Sequence, residues 1–117
     1  MKKVMFISST GGHLNELLML KDMFSKYDFQ LVTEYTLTNK GLKDKYGKKK
    51  VKFLISASQK YKVIYAFKLI LNSFISLYYY VKFRPQFIVS TGAHTAGPMC
   101  LIGKIFGSKI IFIETFA

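Results

Sequence analysis

The chain is poor in cysteine, arginine and acidic residues, and each scarcity narrows what it can be. It has one cysteine, Cys100, among 117 residues, so no internal disulfide can form and a reducing compartment is expected. Cys100 sits in the apolar run Met99-Cys100-Leu101-Ile102, which points to a buried structural thiol rather than a nucleophile. Of eighteen basic residues only Arg84 is not lysine. Base-specific nucleic-acid readers use the guanidinium fork for bidentate contacts, so specific readout is disfavoured and no nucleic-acid partner is expected. Asp and Glu number six, leaving a net charge of +12. That excess calls for an anionic partner, and lysine beside aromatics suits an acidic phospholipid surface or a phosphorylated ligand. A secretory leader is also missing: Lys2 and Lys3 precede only four apolar residues before Ser8, too short for a signal core, so the protein is expected on the cytoplasmic side.

What is present reads as one α/β domain. Half of the residues are apolar, which excludes disorder, and the length suffices for a single core. There is no internal repeat, low-complexity tract or linker. The pattern predicts strands at Val4 to Ser8, Phe29 to Glu34, Val51 to Ser56, Gln86 to Ser90 and Lys109 to Glu114. Helices are predicted at Leu14 to Lys26, at Tyr61 to Phe83 where Pro85 stops the element, and around Leu101 to Phe106, ending near Gly107. Thr36 to Lys50 is expected to be a polar, lysine-rich loop. Near-continuous apolar strands alternating with helices predict an open parallel sheet covered on both faces, a doubly wound Rossmann-like layer. Such a sheet normally continues into a covering helix, so an expectation follows that the chain is shortened or that a partner covers its last strand.

Two turns carry the chemistry. Ser8-Ser9-Thr10-Gly11-Gly12-His13 links the first strand to the first helix. Small residues there leave backbone N–H groups facing outward at a helix start, which favours anions and phosphate above all. His13 adds a group that takes up a proton near neutral pH. Ser90-Thr91-Gly92-Ala93-His94-Thr95-Ala96-Gly97-Pro98 repeats the scheme after the fourth strand. Loops at the carboxyl ends of strands line the ligand crevice of an open α/β sheet, so both turns are expected at one edge. Glu114, at the end of the fifth strand, is a possible support for a histidine or a sugar hydroxyl. No phosphate-loop, nucleophile-elbow or zinc spacing occurs, so no metal or cofactor is expected.

The helix predicted at Tyr61 to Phe83 runs from Val63 to Val81 with one charge, Lys68. Three readings compete. A membrane span fits by length but would place two strands of one sheet on opposite sides, and its flanks are basic at both ends. A crossover helix buried on the sheet explains one apolar face but not apolar residues around the whole circumference. A crossover helix whose outer face enters a lipid interface explains both. That reading assigns membrane contact to Lys62, Tyr65, Lys68, Tyr79, Lys82 and Arg84.

The order of these features, closing on Phe112-Ile113-Glu114-Thr115-Phe116-Ala117, resembles bacterial polysaccharide-biosynthesis glycosyltransferase subunits of the PssD/EpsE/CpsF type. These are relatives of the eukaryotic membrane-anchoring subunit of the dolichol-pathway UDP-GlcNAc transferase. More distantly the chain is similar to the N-terminal half of MurG-like GT-B enzymes. The resemblance implies a single Rossmann-like acceptor-side domain over residues 1–117, shortened at its C terminus relative to the group. It implies a peripheral subunit at the cytoplasmic face of the plasma membrane that binds a polyprenyl-diphosphate-linked sugar. A catalytic partner subunit would bring the UDP-sugar for capsular or exopolysaccharide synthesis. Carried onto this chain, it makes His13 a candidate general base and Ser9, Thr10, Gly11, Gly12, Thr91, Gly92 and His94 the acceptor and diphosphate site. The alternative is a non-catalytic scaffold that recruits and activates the transferase at the membrane.

Overall fold

The computed structural model describes residues 2–8, 12–36, 40–47, 49–55, 62–91 and 97–113, with the backbone alone at 12, 13, 62 and 65. The strands are β1 (Lys3–Ile7), β2 (Asp28–Glu34), β3 (Val51–Leu54), β4 (Phe87–Ser90) and β5 (Lys109–Phe112). They form one sheet in the order β3-β2-β1-β4-β5, and every pair is parallel. The fold is therefore the expected Rossmann-like open α/β layer, with chain direction across the sheet reversing at β1.

Strand alternation divides the core into two layers. Val4, Phe6, Leu31, Val51 and Val89 face one side, where α1 (Gly12–Leu18) and α2 (Lys21–Phe24) bring Leu14, Leu17 and Phe24. Met5, Ile7, Val32, Leu54 and Ile88 face the other, beneath α4 (Lys62–Phe83) and α5 (Gly97–Ile105). Gly103 brings α5 close to the sheet, since a Cβ there would fall onto Ile88 Cδ1 and lie 3.1 Å from Ile110 Cδ1. Gly107, at φ 93°, ends that helix in the left-handed conformation that glycine tolerates.

Two elements depart from the sequence expectation. The first helix is interrupted: Met19 N–H bonds Glu16 O and Leu20 N–H bonds Leu17 O, a tighter spacing that splits it into α1 and α2. Within the lysine-rich loop a short helix, α3 (Leu42–Tyr46), forms because Leu42 and Tyr46, four residues apart, both reach the core. Tyr46 meets Phe24 edge-on at 5.7 Å. At β5, Ile111 and Phe112, on opposite faces, are 47% and 59% exposed.

The crossover from β3 to β4 is fixed by Asn72, fully buried in the middle of α4. Its side chain accepts from Ile55 N–H at 2.8 Å and donates to Ile55 O at 2.9 Å, just past β3. One turn on, Ser76 is equally buried, but its hydroxyl has no partner among the described residues. Replacing Asn72 with Ala should therefore cost about 2–3 kcal/mol in urea unfolding by removing two hydrogen bonds. Ser76→Ala should leave stability nearly unchanged, and equal losses in the two variants would contradict the clamp.

Candidate functional site

The sheet brings together the two strand ends that precede the glycine-rich segments. β1 and β4 are hydrogen-bonded neighbours in the register Ile7↔Ser90, so both chains leave the sheet side by side at its carboxyl edge. In open α/β sheets a crevice lies between strands whose connections run to opposite sides, and β1 and β4 are that pair here. Small buried polar residues floor the edge: Ser8 and Ser90 have no exposed surface, and Thr91 and Glu34 are buried. Ser8 N–H bonds Val32 O at 3.2 Å, and Ile113 N–H bonds Ser90 O at 2.8 Å. Ser8 Oγ, at the point where β1 ends, has no partner among the described residues.

Of the residues singled out in the sequence, Gly12 and His13 open α1 at this edge, and Thr91 lies at the β4 exit. Ser9, Thr10, Gly11, Gly92, His94 and Glu114 lie outside the described residues. Because α1 has only seven residues, an anion at its start meets the free N–H groups of one turn rather than the summed dipole of a long helix. Two carboxylates escaped the sequence reading. Glu34 ends β2 and is buried beneath the edge. Glu16 follows His13 by three positions on α1, with Oε2 shielded from solvent. The signal for the second was the His-x-x-Glu spacing, which places two residues on one helix face.

The long helix α4 is amphipathic in an inverted sense. Its inner stripe carries the polar Asn72 and Ser76 along with Ile75, Tyr79, Tyr80 and Phe83. Its outer stripe, Val63, Phe67, Ile70, Phe74, Tyr78 and Val81, is exposed, with Val63 at 74% and Phe74 at 68%. On α5, Leu101 and Ile105 are exposed as well. No helix among the described residues is long and apolar enough to cross a membrane. Among the six residues assigned to lipid contact, Lys82 and Arg84 are exposed and Lys68 is partly so. Lys82 Nζ bonds Tyr78 Oη at 3.2 Å. Lys62 and Tyr65 are described by backbone alone. Tyr79 is turned the other way: it packs against the core and donates its hydroxyl to Phe53 O at 2.8 Å. Burial raises its pKa, and the neighbouring Tyr78 raises it further. Tyr78 is the ring that occupies the outer face.

No protein-family model matches the chain, and no curated protein matches it. Among solved structures it is similar to MurG from Acinetobacter baumannii, at 22% identity and TM-score 0.75, over 97% of this chain and 35% of that one. It is also similar to UDP-GlcNAc 2-epimerase from Methanocaldococcus jannaschii, at 13% identity and TM-score 0.73, over 97% and 31%. The corresponding epimerase from Rickettsia bellii gives 20% identity and TM-score 0.69, over 96% and 30%. The chain thus spans about a third of the length of these proteins. At such identities the likeness is one of fold, a Rossmann-like unit of the kind found in GT-B proteins.

Cys100 lies on α5 near this edge, half-buried among core residues. Burial pushes its thiol pKa above the ordinary cysteine value, and a hydrogen bond with Ser90 only partly opposes this. The folded state therefore holds the proton more tightly than the unfolded chain. Its contribution to stability is complete below the ordinary thiol range and is lost as pH rises through the raised value. Alkylation by iodoacetamide should be slow at neutral pH in the native protein. It should accelerate only above the range of a free cysteine, and unfolding in urea should abolish the difference. Fast native alkylation at pH 7 would contradict a buried, protonated thiol.

Proposed function

We propose that the chain is the acceptor-side subunit of a two-chain, UDP-sugar-dependent glycosyltransferase working at the cytoplasmic face of the membrane in capsular or exopolysaccharide synthesis. The observation that carries this reading is the pairing of β1 with β4, in register at Ile7↔Ser90. In the sequence, segments rich in glycine and hydroxyl residues follow both strands, whose carboxyl ends flank the crevice position of an open α/β sheet. Their backbone N–H groups and hydroxyls suit a diphosphate, the anionic part of a lipid-linked sugar acceptor. His13 is the candidate base that takes the proton of the attacking sugar hydroxyl, a step worth about 10²- to 10⁴-fold in rate. Inverting transfer needs no covalent enzyme intermediate, and the sequence carries no nucleophile elbow. In this reading the donor half is supplied by a partner subunit.

The inverted helix supports the membrane part of the reading. Burying Asn72 and Ser76 while exposing Phe67, Ile70 and Phe74 is costly in water and favourable when the outer face meets acyl chains. Charge agrees with this. No Asp or Glu occurs between Asp44 and Glu114, so α4 and α5 carry lysines without carboxylates toward an anionic surface.

Two experiments test the two parts separately. In the complex reconstituted with the UDP-sugar-binding subunit, His13→Ala should lower transfer about 100-fold and leave complex formation intact. Full activity in an intact complex would favour the scaffold role instead. Phe67→Glu with Phe74→Glu should abolish co-sedimentation with vesicles at unchanged Tm, because both side chains are exposed; persistent vesicle binding would overturn membrane docking through α4.

A further inference from the structure

A cationic recess lies at the opposite edge of the sheet, about 17 Å from the acceptor edge along the five residues of β1. It encloses about 630 Å³ at the amino-terminal edge of β1, β4 and β5, and its walls include Lys2, Arg84, Lys109, Val81 and Phe106. Lys2 and Lys109 each hold their ammonium within 6 Å of the Phe87 ring centroid, at 5.5 and 5.9 Å. Among the described residues none of the three cations is paired with a carboxylate. The ion pair at this edge, Lys50 with Asp28, lies at the start of β2 on the far side of β1.

The recess is built rather than incidental. Ser108 Oγ donates to Pro85 O at 2.6 Å, so its single proton is committed and the Tyr80 hydroxyl at 2.6 Å must be the donor to it. This chain of bonds ties the end of α4 to the start of β5 beneath the recess. Tyr80 also stacks on Phe106, with centroids 5.7 Å apart. Arg84 stands just beyond α4 with its N–H bonded to Tyr80 O at 2.7 Å, in the left-handed conformation at φ 50°. Glycine or asparagine usually fills that position, because any Cβ is disfavoured there. The chain places its single arginine at this strained point, where a planar fork can grip a phosphate in a way that lysine cannot.

The recess also opens onto the apolar outer face of α4 and α5. Val81 lines it and continues into the shallow groove of Phe74, Leu77, Tyr78 and Lys82. On the other wall Phe106 is 63% exposed. We propose that this recess is a headgroup site for an anionic phospholipid. Arg84, Lys2 and Lys109 take the phosphate, and the acyl chains run along Val81 and Phe106. The proposal rests on the membrane reading above and adds to it a defined lipid site far from the acceptor edge.

Arg84→Gly tests it without threatening the fold, because glycine relieves the backbone at that position and Tm should hold or rise. The full chain is measured against phosphatidylcholine vesicles, against vesicles that also contain phosphatidylglycerol, and against inorganic phosphate in solution. The expected result is preference for the phosphatidylglycerol vesicles. Arg84→Gly should weaken that binding about tenfold or more, Arg84→Lys should restore it only partly, and Lys104→Ala on α5 should cost no more than about fivefold. Equal losses for Arg84→Gly and Lys104→Ala would reduce the effect to diffuse charge and overturn the site. Arg84-dependent binding of inorganic phosphate, with vesicle binding insensitive to Arg84, would overturn the lipid assignment. Equal binding to both vesicle types, insensitive to Arg84, would overturn this site and leave docking through α4 standing. Binding to neither would overturn both.

Discussion

The architecture depends on the two hydrogen bonds by which Asn72 holds Ile55. A parallel sheet that reverses direction needs one long return connection, here from β3 on one edge to β4 beyond β1. A helix apolar around most of its circumference has no strong preference for which stripe faces inward. A buried amide that satisfies both backbone groups of one residue removes that ambiguity, since any other rotation of α4 would take this partner from the Ile55 N–H and C=O. Once α4 is set, β4 falls beside β1, and the carboxyl ends of the two strands lie together at one edge. A polar contact in the core thus decides where the surface chemistry sits.

The same contact has a cost on the other side. Committing Asn72, Ser76, Tyr79 and Tyr80 inward leaves Phe67, Ile70, Phe74 and Val81 outward. This patch, bordered by lysines and free of carboxylates, is the inverse of an ordinary surface helix. The five carboxylates from Glu16 to Asp44 all precede β3 in sequence, in α1 to α3, β2 and the residues joining them. The molecule therefore has chemically different sides: exposed apolar residues and cations without carboxylates on α4 and α5, and mixed charges on the elements that precede β3.

Much of the fold was legible because parallel strands buried on both faces announce themselves as apolar runs, as in Val4 to Ile7 and Phe87 to Val89. The hidden parts were those where a few residues decide. Two apolar side chains among many lysines, Leu42 and Tyr46, make α3, too few for periodicity to stand out. Four tyrosines at 65 and 78 to 80 look alike in sequence, yet Tyr79 and Tyr80 find partners in Phe53 O and Ser108 and turn inward, while Tyr78 does not. For the carboxyl edge, the sequence does not show what lies beneath the strand ends. Glu34 reads as an ordinary strand end, and its burial is a tertiary property.

The exposed flank of β5 carries a consequence for the molecule's behaviour in solution. Among the described residues β5 pairs only with β4, so its outer ladder of amide and carbonyl groups is open, and the hydrophobic Ile111 and Phe112 stand beside it. An unguarded edge of this kind is a template on which any extended segment can extend the sheet, including the same strand of another molecule. Lysine at 109 is the sole charge within the strand to discourage this. Concentrated preparations of the isolated chain should accordingly be handled as an aggregation-prone material, in which shielding that flank matters more to shelf life than any adjustment of the core.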